Sequence, residues 1–171
     1  MSEATRLEQS LASTERKRFD LAEVVRGCVE GYRLAHRDRT FICDAGPGPY
    51  PVMGAPDLVA QMLDKLAANA VEFSAADSAI RFALQRETSG ARLSVFNKGP
   101  SLPADMQDRL FESMISVRTG QDQGEPHLGL GLYIVRLIAE FHGARATAWN
   151  REDEPGVEIR VEFPLFENTT D

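Results

Sequence analysis

From Leu130 to His142 the chain reads LGLYIVRLIAEFH, a helix apolar on nearly all sides, with Arg136 and Glu140 as its only clearly wet stripe. A helix this dry cannot lie on a surface and must pack against a sheet. The sheet is equally legible. In GVEIRVEF, Val157, Ile159, Val161 and Phe163 alternate strictly with other residues, mostly charged, the pattern of a strand with one dry face and one wet face. Ile80, Phe82 and Leu84 alternate with Arg81, Ala83 and Gln85, and beyond ETSG Leu93 and Val95 alternate with Ser94 and Phe96, which predicts a hairpin. Gly143 supplies a C-terminal stop for the dry helix, and RATAWN is a further strand.

Residues 1–18 are polar and helix-favouring, with Ala4, Leu7, Leu11 and Thr14 at three- and four-residue steps in a short coiled-coil-like seam. Asp20 followed by Glu23 is a capping-box pattern opening a second helix to about Leu34, with Leu21, Val24, Val25, Cys28, Val29 and Tyr32 on its apolar face. RTFICDAG and YPVMG read as short strands around the GPGPYP loop. A third helix begins near Asp57, with Leu58, Met62, Leu66, Ala70 and Phe73 as its buried stripe. The stretch from Lys98 to Leu128 has no sustained period beyond a short helical piece at about Met106 to Ser113, and a segment of that length in a compact domain is usually functional. The element order predicts an α/β (α+β) two-layer sandwich in which about three helices cover one face of a mixed, mostly antiparallel sheet; strand–helix–strand units are too few for a doubly wound sheet.

Composition excludes several classes. The 171 residues, 43% hydrophobic and 26% charged, suit one globular domain with a real core. No apolar run approaches the roughly 20 residues of a membrane-spanning helix, and the polar N-terminus is unlike a secretory signal, so a cytoplasmic location is expected. Cys28 and Cys43 lack metal or redox spacing and read as packed, reduced thiols. A net charge of −7 argues against nucleic acid as the main ligand, so a polyanion would need local donors.

Three constellations offer such donors. Gly129 and Gly131, each followed by a leucine (Leu130 and Leu132), stand at the mouth of the dry helix, where unsatisfied N–H groups and the helix dipole favour phosphate; close packing of a buried helix explains the glycines equally well. On the third helix Gln61, Lys65, Asn69 and Glu72 share a line opposite the apolar stripe. A solvated face is one explanation of it, but an asparagine oxygen is also a suitable Mg²⁺ ligand. At VFNKGPSLP a strand stops abruptly, placing Asn97 where its oxygen can meet the amino group of a flat base, with Gly99 permitting close backbone approach and Leu102 covering a ring face.

Taken in order, these pieces resemble the ATP-binding catalytic domain of bacterial sensor histidine kinases, of the GHKL superfamily with its Bergerat fold. LDKLAANAVEFS is similar to the N box, NKGPSLP to G1, RLFESMISVR to the F box and HLGLGLYIVRLIAEFHGA to G2 with its helix. The resemblance implies a catalytic domain at residues 19–166, preceded at 1–18 by the end of a dimerisation helix and linker and followed by a disordered tail at 167–171. It implies ATP and Mg²⁺ as cofactors, with Asn69 as metal ligand, Phe73 beside the nucleotide, Asn97 at the adenine amino group, and Ser116 and Arg118 opening a lid over the phosphates. His127, Gly129, Leu130, Gly131 and Leu132 would complete the phosphate side.

Departures are expected to matter. Asn97 replaces the usual Asp and keeps an acceptor without its charge. Ser101 and His127 replace glycines, and Lys65 stands where another Asn is common while Glu72 takes a place often held by Lys, which suggests that Lys65 is a relocated phosphate-contacting cation. The expected reaction is transfer of the ATP γ-phosphoryl group to a histidine on a dimerisation helix that no histidine here provides, and thence to the receiver domain of a response regulator. The expected assembly is a homodimeric kinase that touches the membrane only through upstream segments, with no nucleic acid bound. Two rivals are a degenerate module that docks partners without turnover and a GHKL ATPase that uses water.

Overall fold

The computed structural model describes residues 2–112 and 127–167, apart from the side chains of 127–130. Helix α1 (Glu3–Leu11) is N-capped by Ser2, whose hydroxyl accepts from the Thr5 N–H. Strand β1 (Lys17–Asp20) follows, and Asp20 then caps α2 (Leu21–Ala35) by accepting from the Ala22 N–H at 3.0 Å. After β2 (Thr40–Ala45) and β3 (Pro51–Gly54) come α3 (Pro56–Phe73), the hairpin β4 (Ala79–Glu87) and β5 (Gly90–Lys98), and the single turn α4 (Ala104–Gln107). The chain closes with α5 (His127–Phe141), β6 (Arg145–Asn150) and β7 (Gly156–Phe163).

The main sheet has five strands in the order β2-β4-β5-β7-β6, all antiparallel neighbours except the parallel pair β2 and β4. Helices α2, α3 and α5 cover one face, so the expected two-layer sandwich is the observed one. Between the layers, Phe82, Leu84, Leu93 and Val161 are buried with Leu63, Leu66, Ile134 and Ile138. Their burial supplies the main driving force for the layers to close, since it scales with the apolar area removed from water.

Four elements differ from expectation. The N-terminal helix stops at Leu11 rather than running through residue 18, and its seam faces its own domain: Ala4 and Leu7 are buried in the core, with α1 against α5. Strand β1 is too short and too charged to carry a period, and exists because it pairs with β3 in a second, two-stranded sheet. The piece expected at 106–113 starts earlier, after Pro103, and forms one turn, with Leu110 and Phe111 burying the segment beyond it; Ser113 lies outside the described residues. Helix α5 starts three residues before Leu130. Its end is as expected. Gly143 adopts φ +68, its N–H donates to the Glu140 carbonyl at 3.0 Å, and the Ala144 N–H donates to that of Ala139 at 2.8 Å, a Schellman stop.

Among the described residues no helix is long and apolar enough to cross a membrane. Both cysteines are free, and burial pushes their thiols up, which favours the protonated form.

Candidate functional site

Helix α3 splits its polar line between two tasks. Near its middle, Gln61 and Lys65 both turn to the Glu3 carboxylate on α1, donating at 3.0 and 2.7 Å. The Lys65 ammonium, more than any other group, holds Glu3 below the usual carboxylate range. One turn later Asn69 faces a cavity of about 150 Å³ instead, and Glu72 is exposed to solvent. Asn69 Oδ1 is buried without a hydrogen-bond partner among the described residues. A buried acceptor left without any partner would cost about 1–3 kcal/mol, so a ligand atom, a cation or a water is favoured beside it.

The cavity itself is largely apolar. Phe73, Leu102, Leu110, Leu132 and Ile159 form its walls, with Asn97 and Ser101 as the other polar lining. Phe73 is the last residue of α3 and keeps 43% of its surface exposed, an apolar ring left open at a cavity mouth. Asn97 is buried near the end of β5, and its side chain makes one long bond, Nδ2 donating to the Lys98 carbonyl at 3.4 Å. That bond engages only the nitrogen, and no described residue bonds the amide oxygen, which leaves it available to a ligand donor. Apolar walls with two amides, Asn69 and Asn97, and the hydroxyl-bearing Ser101 as polar lining suit a heterocycle bearing an amino group.

Gly99 stands outside the residues that line the cavity. A Cβ there would stand 2.6 Å from the Phe73 carbonyl oxygen, so the glycine lets the end of β5 pass beneath the end of α3. Phe73 and Asn97 are thereby held on one cavity.

The glycines of the dry helix also sit differently from expectation. With α5 beginning at His127, Gly129 is in the first turn, where backbone N–H groups lack intrahelical partners. Gly131 is four residues in, and its N–H falls within the regular ladder to His127. A Cβ at Gly131 would meet no atom of the described residues within 4 Å. Leu132, the next residue, lines the same cavity as Asn69. Side chains of His127 and Leu130, and all of Ser116 and Arg118, lie outside the described residues.

His142 has both ring nitrogens engaged within the fold. Its Nδ1 meets the Ile138 carbonyl at 2.7 Å and its Nε2 accepts from the Ala55 N–H at 3.0 Å, so the buried ring is a neutral strut between α5 and the start of α3. Burial pushes its pKa below the ordinary value. Larger cavities exist, such as one of about 460 Å³ beside Glu87, Arg92 and Glu162, but this one sits at the turn end of the β4–β5 hairpin, away from Asn97.

Two residues of the site carried no usable signal in the sequence. Glu3 lies 62 positions from Lys65, and Asn150, which bonds both backbone groups of Leu102, reads only as the end of a strand.

Residues 54–167 match the family model described as histidine kinase-, DNA gyrase B-, and HSP90-like ATPase. The sensor protein ChvG of Agrobacterium fabrum is 30% identical over 96% of the chain, which spans 29% of ChvG. Sensor protein CutS of Streptomyces coelicolor is 32% identical over 88% of the chain, which spans 36% of it. Among solved structures, the nucleotide-free catalytic domain of histidine kinase ThkA superposes with a TM-score of 0.75 at 26% identity, covering 89% of this chain and 98% of that one. ThkA in complex with the response regulator TrrA gives 0.72 at 25% identity, covering 96% and 48%. The chain thus spans about a third of the curated relatives' length.

Proposed function

As this chain belongs to the histidine kinase-, DNA gyrase B- and HSP90-like ATPases and is an ATP-binding domain of the sensor histidine kinase type, we propose that it serves as the catalytic part of a two-component kinase, holding Mg²⁺-ATP for transfer of the γ-phosphoryl group to a histidine. The observation that carries this reading is the orphaned Asn69 oxygen beside an apolar cavity that ends in a second amide, Asn97.

In this reading each residue has a positional task. Asn69 offers a neutral, hard oxygen to the metal, which suits Mg²⁺, an ion that retains several waters and takes few protein ligands. Asn97 accepts from the base, and Phe73, Leu102 and Leu132 exclude water from its faces. Free N–H groups in the first turn of α5, Gly129 among them, meet phosphate oxygens. Mg²⁺ supplies charge neutralisation when bound; the protein's contribution is alignment and electrostatic stabilisation. Lys65 is proposed as a phosphate-contacting cation that must first exchange its Glu3 partner. Ser116, Arg118, His127 and Leu130 are proposed to complete the phosphate side.

The receiving histidine is proposed to lie on dimerisation helices of the same kinase, which would be a homodimer passing phosphate to a response-regulator receiver domain. The ThkA–TrrA complex supports a regulator as partner. Two measurements test the proposal. A fluorescent ATP analogue should saturate the chain in a Mg²⁺-dependent, ATP-competed manner; no such signal would favour the degenerate docking module. Joined to dimerisation helices, the chain should incorporate acid-labile phosphate from labelled ATP, whereas steady hydrolysis without it would favour a water-using ATPase.

A further inference from the structure

The loop between β5 and α4 supplies Pro100, Ser101 and Leu102 to the cavity wall. Its described backbone fastenings are slight. The Gly99 N–H reaches the Pro155 carbonyl at 3.4 Å, the long limit of hydrogen bonding, and the Met106 N–H bonds the Pro103 carbonyl at 2.9 Å within the turn that opens α4. Between them Leu102 is held by a side chain from another strand. Its N–H donates to Asn150 Oδ1 at 2.8 Å, and Asn150 Nδ2 donates to its carbonyl at 2.8 Å.

This paired exchange is what one strand residue gives another across a ladder, delivered here by a side-chain amide. Few residues can do it. Asparagine carries one acceptor and one donor on a short arm, whereas aspartate is acceptor-only and would set an oxygen against the Leu102 carbonyl. Asn150 ends β6, the edge of the sheet, and its backbone is registered on Val157, which also lines the cavity. The amide therefore ties a weakly fastened loop to a rigid frame at the residue whose side chain forms a wall of the cavity.

We propose that Asn150 is a positioning residue for nucleotide binding, its amide setting where the Leu102 wall stands against the flat end of the ligand. This rests on the nucleotide reading above. Its effect falls on the base end, since the metal-side oxygen belongs to Asn69 on α3.

The test compares Asn150→Ala and Asn150→Asp with the parent chain. Binding of a fluorescent ATP analogue with Mg²⁺, and of a fluorescent ADP analogue without metal, is titrated alongside thermal unfolding. Each variant should weaken both ligands by the same factor, about tenfold, as the Ala variant loses both hydrogen bonds and the Asp variant sets an oxygen against the Leu102 carbonyl. The Asp variant retains the shape of the side chain and the acceptor for the Leu102 N–H, so it carries the test if the Ala variant does not fold. Unchanged affinity in a folded variant, with or without a lower Tm, overturns the role and leaves Asn150 a strut. Weakening confined to the Mg²⁺ triphosphate also overturns it, because the effect would then lie at the phosphate end. A parent chain that binds neither nucleotide overturns the nucleotide reading and Asn150's role together; a binding parent with indifferent variants overturns only the latter.

Discussion

The two sides of the sheet treat their polar groups in opposite ways. On the outer face one row crosses four strands as Arg81, Phe96, Glu158 and Trp149. Here the charges are matched within the chain: Arg81 pairs with Glu154 at 2.6 Å, Glu158 takes Arg151 at 2.9 Å as well as Arg160, and guanidinium groups lie over the Phe96 and Trp149 rings. Phe96 and Glu158 are buried beneath these arginines even though they face outward. On the helix side, the Asn69 oxygen is left unmatched among the described residues. Two other buried atoms share that condition, Nε of Arg39 and of Arg92, but Arg39 donates through its terminal nitrogens to the Val71 and Ala75 carbonyls, and Arg92 Nε lies 3.1 Å from the Glu87 carboxylate. A self-satisfied face asks nothing of a ligand. The cavity has kept an acceptor in reserve, which is how a binding site differs from a merely polar surface.

Substitutions that exchange these conditions should separate binding from stability. The largest effect is expected for Asn69→Ala. Mg²⁺-dependent ATP affinity should fall on the order of 100-fold or more by calorimetry, while stability holds or rises by up to about 1 kcal/mol because an orphaned group is removed. A binding loss accompanied by unfolding would contradict the contrast. Next is Gly99→Ala, whose Cβ would press on the Phe73 carbonyl. It should cost about 2–3 kcal/mol in urea unfolding, because the obstacle is backbone. It should also weaken nucleotide binding by shifting Phe73.

On the outer face, Glu158→Gln should cost about 1–2 kcal/mol of stability, since one carboxylate serves two arginines, and leave nucleotide affinity unchanged. A changed affinity there would show that the two faces are not independent.

The smallest effect concerns His142. Its pKa is lowered in the folded protein, so the unfolded chain binds the proton more readily. Its contribution is therefore complete above about pH 6.5 and is lost as pH falls from there towards the folded value, with a slope no steeper than about 1.4 kcal/mol per pH unit. Chemical denaturation between pH 7 and 5 should show this slope, and His142→Gln should remove it.

Much of the architecture was readable in one dimension because periods are local. Val157 to Phe163 and Ile80 to Leu84 declare a half-buried sheet, the dry helix declares its burial, and Gly143 declares its own stop. What escaped reading depends on partners distant in sequence. KRFD becomes β1 only beside Pro51–Gly54, and the N-terminal seam turns inward because α5 offers Ala4 and Leu7 a surface. At the site, Asn69, Phe73, Asn97, Leu102 and Leu132 were all legible as candidates, and the fold gathers them on one cavity. Gly99 shows the limit, because a sequence records that a close approach is needed without recording that the Phe73 carbonyl is one of the neighbours approached.

Residue spacing alone determined the layers, the strand faces, the helix that must be buried and the small set of amides and glycines worth testing, because hydrophobic alternation and helical periodicity are set by bond geometry within a few residues. Tertiary structure alone decided how four polar side chains on α3 are used: Gln61 and Lys65 are claimed by Glu3, Glu72 faces solvent, and Asn69 keeps a buried oxygen without a partner among the described residues. The reason is physical. Hydrogen-bond satisfaction is a property of everything within about 3 Å of an atom, and neighbours at that distance are chosen by the folded chain.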